Sequence, residues 1–107
     1  MEKKFYEVKF TESAEKDLKK LIKLNKAIAK LLKKWISENL IGTQNPKQRG
    51  KALTGNLKGL WRYRVGSYRI VAEIKNDILL ILIIEISDRK ETYKDKNRKT
   101  YKNGKIK

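Results

Sequence analysis

The chain has 107 residues, 28 Lys+Arg against 12 Asp+Glu, and a formal net charge of +16. It contains no Cys and no His, which excludes a disulfide framework, a thiol nucleophile, a zinc knuckle, an imidazole base and a Ser-His-Asp triad. The length suits one domain, and a charge of this size in a small domain points to nucleic acid ahead of anionic membranes or acidic proteins.

The longest apolar run, Ile78 to Ile84, falls far short of the roughly 20 residues a membrane helix needs. The start, Met1-Glu2-Lys3-Lys4, lacks the apolar stretch of a signal peptide. A cytoplasmic protein with no membrane partner is expected.

Alternation over Lys4 to Phe10 predicts a short first strand, with Tyr6, Val8 and Phe10 on one face. Thr11 is placed to cap a helix whose first turn carries Glu12 and Glu15. In that helix Ala14, Leu18, Leu21 and Ile22 recur at helical spacing, and Lys16, Lys19, Lys20 and Lys23 lie off the stripe. Asn25 breaks the pattern. A second helix then lines up Ile28, Leu31, Leu32, Trp35 and Ile36, with Lys26, Lys30, Lys33 and Lys34 opposite, and ends at Gly42. So short a join predicts an antiparallel helical hairpin.

Residues 42–56, with the one Pro and three of the six Gly, read as a loop. Three strands follow between Leu57 and Ile86. Gly66-Ser67 forms a two-residue turn with Gly first, as type II′ requires, and Asn76-Asp77 forms the next turn. The strand Ile78–Ile86 is apolar on both faces until Glu85, so it is expected to be central and covered on both sides. From Arg89 to Lys107 there are nine Lys/Arg and two Asp/Glu. The order strand, helix, helix, strand, strand, strand predicts an α+β fold, a small and mostly antiparallel sheet packed on the helical hairpin. Residues 1–93 form a single domain and 94–107 a basic tail.

A two-residue turn at Gly66-Ser67 pairs Val65 with Tyr68, Arg64 with Arg69, Tyr63 with Ile70 and Arg62 with Val71. Opposed residues project from the same face, so Arg62, Arg64 and Arg69 emerge together, while Trp61, Tyr63, Val65, Tyr68, Ile70 and Ala72 form the core side. Like charges opposed across strands destabilise a sheet. Three guanidiniums on one face suit a polyanion, because the planar fork matches phosphate oxygens. The plainer alternative is a basic chain placing Arg on any solvated face. Beyond the last strand, Asp88, Arg89 and Tyr93 arrive together at the start of the tail, where Tyr93 is placed either to stack on a nucleobase or to pack on the sheet edge.

Three stretches carry a family resemblance. They are Lys51-Ala52-Leu53-Thr54-Gly55; the run from Leu60 to Val71, with Tyr68-Arg69 after its turn; and Ile84 to Tyr93, which closes on Arg89-x-x-x-Tyr93. In order and spacing they resemble the RelE/ParE toxin superfamily of type II toxin–antitoxin systems, RelE-like branch, over about residues 4–93. The resemblance implies a ribosome-dependent mRNA endonuclease that needs no metal or other cofactor. It implies catalytic roles for Arg62, Arg64, Arg69, Arg89 and Tyr93, and partners in mRNA, the ribosome and a cognate acidic, RelB-like antitoxin. Lys51, Lys58, Lys90 and Lys94 are the expected further RNA contacts.

Two departures stand out. Some relatives have lysines in place of Arg62 and Arg64, and Arg cannot serve as a base. Several relatives carry His where Asp88 stands. Asp88 is thus a candidate base, with Glu91, Lys51 and Lys58 as others. Two competing functions remain at this stage: a ParE-like toxin that inhibits DNA gyrase by binding, and a non-catalytic basic nucleic-acid-binding domain.

Overall fold

The computed structural model describes residues 4–88. Its elements are β1 (Glu7–Phe10), α1 (Glu12–Leu24), α2 (Lys26–Asn39), β2 (Gly50–Ala52), β3 (Trp61–Val65), β4 (Tyr68–Lys75) and β5 (Leu80–Asp88). They form one five-stranded sheet in the order β1-β5-β4-β3-β2. β1 runs parallel to β5, and the other three pairings are antiparallel. No described helix is long and apolar enough to cross a membrane.

The helix boundaries follow from capping chemistry. The Thr11 side chain accepts from Ala14 N–H at 3.1 Å and starts α1. Asn25 closes α1 with its own N–H on the Leu21 carbonyl, and its side chain accepts from Ile28 N–H to open α2. One residue therefore serves both ends of the hairpin, which is why the join is so short. Ala14, Leu21, Ala29, Leu32 and Ile36 are buried against Tyr63, Ile70, Ala72, Ile81, Ile83 and Ile86 of the sheet.

Two expectations are corrected. Residues 42–56 are not loop throughout: Gly50–Ala52 adds a fifth strand beside β3. Only Gly permits this approach, because a Cβ at position 50 would overlap the Arg62 carbonyl oxygen and lie 2.5 Å from Trp61 Nε1. The last strand also begins later than expected. Asn76–Ile78 form a single 3₁₀ turn, and Leu79 takes a left-handed conformation at φ 52°, so the extended run covers Leu80 to Asp88 and leaves Ile78 exposed.

β5 is central, as expected, and both of its faces are covered in part. Helices cover one face. On the other, Leu60, Val71 and Ile84 form a second buried cluster under Leu53 and Leu57, residues of the segment between β2 and β3. β5 also carries a β-bulge, which sets what each face receives beyond Ile84. Val71 pairs with Glu85, but the next residue, Ala72, pairs with Ile83. Ile84 is thus the extra residue, and it changes the phase of the strand. Ile81 and Ile83 face the helices before the bulge and Ile86 faces them after it, while Ile84 and Glu85 turn to the open side with Val71.

The bulge is held from the side. β1 ends at Phe10, so the outer edge of β5 beyond Ile83 has no strand partner. Thr11 Oγ1 donates to the Ile84 carbonyl at 3.2 Å, and Asp17 Oδ2 accepts from Ile86 N–H at 3.1 Å. Thr11, the cap of α1, and Asp17, in its second turn, thereby replace the missing strand.

Tyr63 ties β3 to the loop. It is fully buried, stacks at a tilt on Trp35 with 5.6 Å between ring centroids, and donates its hydroxyl to the buried Pro46 carbonyl. Burial pushes its phenol well above the ordinary tyrosine range. Tyr63→Phe is expected to cost about 1–3 kcal/mol near neutral pH, because the Pro46 carbonyl loses its donor. A raised folded-state value means the unfolded chain loses the phenol proton first, near the ordinary value of 10.0. Wild-type stability should then fall relative to the variant by about 1.4 kcal/mol per pH unit above that point. Paired urea titrations of the two proteins between pH 7 and 11 measure this; a difference that does not close with rising pH contradicts the assignment.

Candidate nucleic-acid interface

The hairpin that carries the candidate site has the expected geometry. Gly66 sits at φ 63° and Ser67 at negative φ, the signature of a type II′ turn. The register pairs Arg64 with Arg69 and Arg62 with Val71. Tyr63 and Ile70 point into the core, so the arginines project from the opposite, open face of the sheet.

Two neighbouring rows of side chains cross this face. The first runs Lys51, Arg62, Val71, Glu85 through β2, β3, β4 and β5. The second, one step nearer the hairpin tip, runs Arg64, Arg69, Ser87. Lys51 faces Arg62 and Arg64 faces Arg69, so two like-charged pairs lie side by side. Arg64 and Lys51 are exposed, whereas Arg62 and Arg69 are half-buried. Arg69 Nε is buried without a hydrogen-bond partner. The apolar cluster of Leu60, Val71 and Ile84 borders the rows on the side away from the hairpin tip. That cluster is covered by Leu53 and Leu57, so the exposed part of the face is the cationic one, whose guanidiniums match phosphate oxygens.

The expected site residues divide into three groups. Lys51, Arg62, Arg64 and Arg69 are brought together on one face. Lys58 is exposed, at the end of the Gly55–Leu57 turn, on the segment that partly covers this same face. Asp88 pairs with Tyr68, which packs on the helix side, so strand alternation turns Asp88 away from the arginines. Arg89, Lys90, Glu91, Tyr93 and Lys94 lie outside the described residues, as does the tail 94–107.

Sequence reasoning did not place Glu85 and Ser87 in the site. Alternation continued from Ile81 and Ile83 puts Glu85 beneath the helices; the bulge moves it to the arginine face. A signal was present. A carboxylate in phase with a buried isoleucine pair is unfavourable without a partner, and Ile84 and Ile86 restart the apolar pattern one residue out of step.

Comparison with known proteins bears on the family and the fold. Residues 8–93 match the sequence profile of the family described as the ParE toxin of type II toxin–antitoxin systems. Among solved structures, the chain resembles the toxin–antitoxin complex RelBE from Mycobacterium tuberculosis at 28% identity and a TM-score of 0.70, over 79% of this chain and 99% of that one. It resembles the intact RelBE complex from E. coli at 24% identity and a TM-score of 0.62, over 78% and 95%. A YoeB/ParE toxin from Agrobacterium tumefaciens shares the fold at 15% identity and a TM-score of 0.63, over 77% and 96%. A comparison with curated proteins gives no match.

The opposed cations make a thermodynamic signature. Arg69→Gln is expected to leave the folded state as stable as wild type or more stable by about 0.2–1 kcal/mol, because it relieves repulsion from Arg64. The gain should shrink as salt screens the pair. Urea unfolding at low and high ionic strength measures it. A clear loss of stability at low salt contradicts the reading of Arg69 as a residue held at a cost to the fold.

Proposed function

Because the chain belongs to the ParE toxin family of type II toxin–antitoxin systems, we propose that it acts as the RelE-like kind of toxin, an endoribonuclease that cuts translated mRNA at the ribosome and so stops translation. The observation that carries this reading is the pair of like-charged cross-strand contacts, Lys51 with Arg62 and Arg64 with Arg69, on the one sheet face the helices leave open.

The chemistry follows from where charge develops. In RNA cleavage by an internal nucleophile, the ribose 2′-hydroxyl attacks the adjacent phosphate in line and the 5′-oxygen departs. Negative charge grows on the non-bridging oxygens. Guanidiniums already in place there stabilise that charge without reorganising. Arg64 and Arg69 are the phosphate clamps, Arg62 lies beside them, and Lys51 extends the contact along the backbone. By resemblance, Arg89 takes the leaving side and Tyr93 orients or stacks a base, which holds the sugar in line. Lys58, Lys90 and Lys94 add phosphate contacts that give affinity without sequence choice. An acidic antitoxin that folds on the basic surface is the expected neutraliser, in keeping with the RelB partners in the related complexes.

A second reading is favoured by the family description itself, which names ParE. A ParE-like toxin would bind and inhibit DNA gyrase and cut nothing. The two separate cleanly. Expressed without an antitoxin, the full chain should stop growth and leave cuts in translated messages that primer extension maps. Arg69→Ala should reduce the cutting about 10²–10³-fold, the usual loss for one oxyanion donor, while remaining folded. Growth arrest with intact messages and inhibited gyrase would establish the second reading in place of the first.

A further inference from the structure

Resting on the ribonuclease reading, we propose that Glu85 is the proton acceptor for the attacking ribose 2′-hydroxyl. That hydroxyl must give up its proton as oxygen bonds to phosphorus, and a positioned base speeds the step. None of the guanidiniums can take the proton, because Arg stays protonated at any working pH.

Among the described residues, the carboxylates that project from the open sheet face are Glu7, Glu73 and Glu85. Glu7 stands on the edge strand β1, three strands away from Arg62. Glu73 lies beyond the bulge from the arginines, and its Oε2 is 3.6 Å from Lys75 Nζ. Glu85 shares a row with Lys51 and Arg62 and is next to the row of Arg64 and Arg69. Strands lie about 4.8 Å apart, so Arg62 and Glu85 flank the row at about 10 Å between backbones. Val71 between them is buried, so a ribose and its phosphate are taken on the side of the Arg64–Arg69 row, with the phosphate toward the guanidiniums and the sugar hydroxyl toward the carboxylate.

The step balances within the substrate. The proton passes from O2′ to a Glu85 carboxylate oxygen, O2′ bonds to phosphorus, and the bond from phosphorus to O5′ breaks. The departing oxygen takes a proton from water, and the hydroxide left behind is neutralised by the proton Glu85 releases. The products are a 2′,3′-cyclic phosphate and a 5′-hydroxyl.

The test uses the full chain, in excess, on an mRNA in a reconstituted translation system, with cuts counted over time by primer extension. Glu85→Gln is expected to cut about 10²–10⁴-fold more slowly while binding the programmed ribosome as tightly as wild type. Glu85→Ala should be equally slow and should regain rate in proportion to added formate, which a merely structural carboxylate would not allow. If the amide variant loses its cooperative melt, Glu85→Asp carries the test, with cutting expected to slow about 10-fold or more at an unchanged melting temperature. A Glu85→Gln variant that cuts as fast as an active wild type overturns this proposal alone, and so does a Glu85→Ala variant that does not respond to formate. A wild type that leaves every message intact overturns the ribonuclease reading with it.

Discussion

One extra residue in β5 governs both faces of the sheet. A strand in strict alternation delivers every second side chain to the same side. Without the bulge at Ile84, the phase set by Ile81 and Ile83 would continue, placing Glu85 and Ser87 beneath the helices and Ile86 in the open. With it, Ile81 and Ile83 before the break and Ile86 after it all reach buried positions on the helix side, and the polar pair turns to the arginines. Thr11 has a double part in this. Its hydroxyl oxygen accepts the first hydrogen bond of α1 and its hydroxyl proton goes to the Ile84 carbonyl. The start of the helix and the phase change of the strand are therefore set at one side chain.

The cationic face exists because the opposite face can support it. Opposed like charges weaken a hairpin by amounts comparable with one cross-strand contact. The same strands carry Tyr63, Ile70 and Ala72, all fully buried, on their other side. Tyr63 stands between Arg62 and Arg64 in β3, and its ring and hydroxyl are both engaged, with Trp35 and with Pro46. Burial of such a group contributes a few kcal/mol, more than repulsion between neighbouring guanidiniums removes. The segment after Pro46 also leads into β2, which places Lys51 opposite Arg62. Buried packing and open-face charge are thus assigned to alternate residues of a single strand.

Much of this was legible in the sequence because it depends on local chemistry. The turn at Gly66-Ser67, the caps at Thr11 and Asn25, the helical stripes and the pairing of Arg64 with Arg69 each follow from residues within one or two turns of chain. What escaped depends on contacts distant in sequence. β2 is three residues long, and Gly50 and Lys51 have poor strand propensity; it forms because Gly50 fits under Trp61. The parallel pairing of β1 with β5 joins residues some seventy positions apart, and no spacing near either strand announces it. The bulge leaves only a break in phase, which local alternation takes for the end of an apolar run at Glu85 and not for a turn toward the arginines.

The distribution of the two basic residue types argues against a merely solvated face. α1 and α2 carry eight lysines and no arginine, while three of the four arginines within residues 4–88 stand on the open face of β3 and β4. Random placement in a chain richer in lysine than arginine would not sort them so. Lysine on an exposed helix keeps a mobile, strongly hydrated charge, suited to solubility and to loose attraction of any polyanion. Arginine half-buried between strands loses that freedom and gains a fixed direction, which matters only if something must be held at a defined angle. The same permanence that makes a guanidinium a good clamp makes it useless for moving a proton. On the proposed ribonuclease reading, the guanidiniums of Arg62 and Arg64 hold charge and leave the accepting of a proton to a carboxylate on the same face.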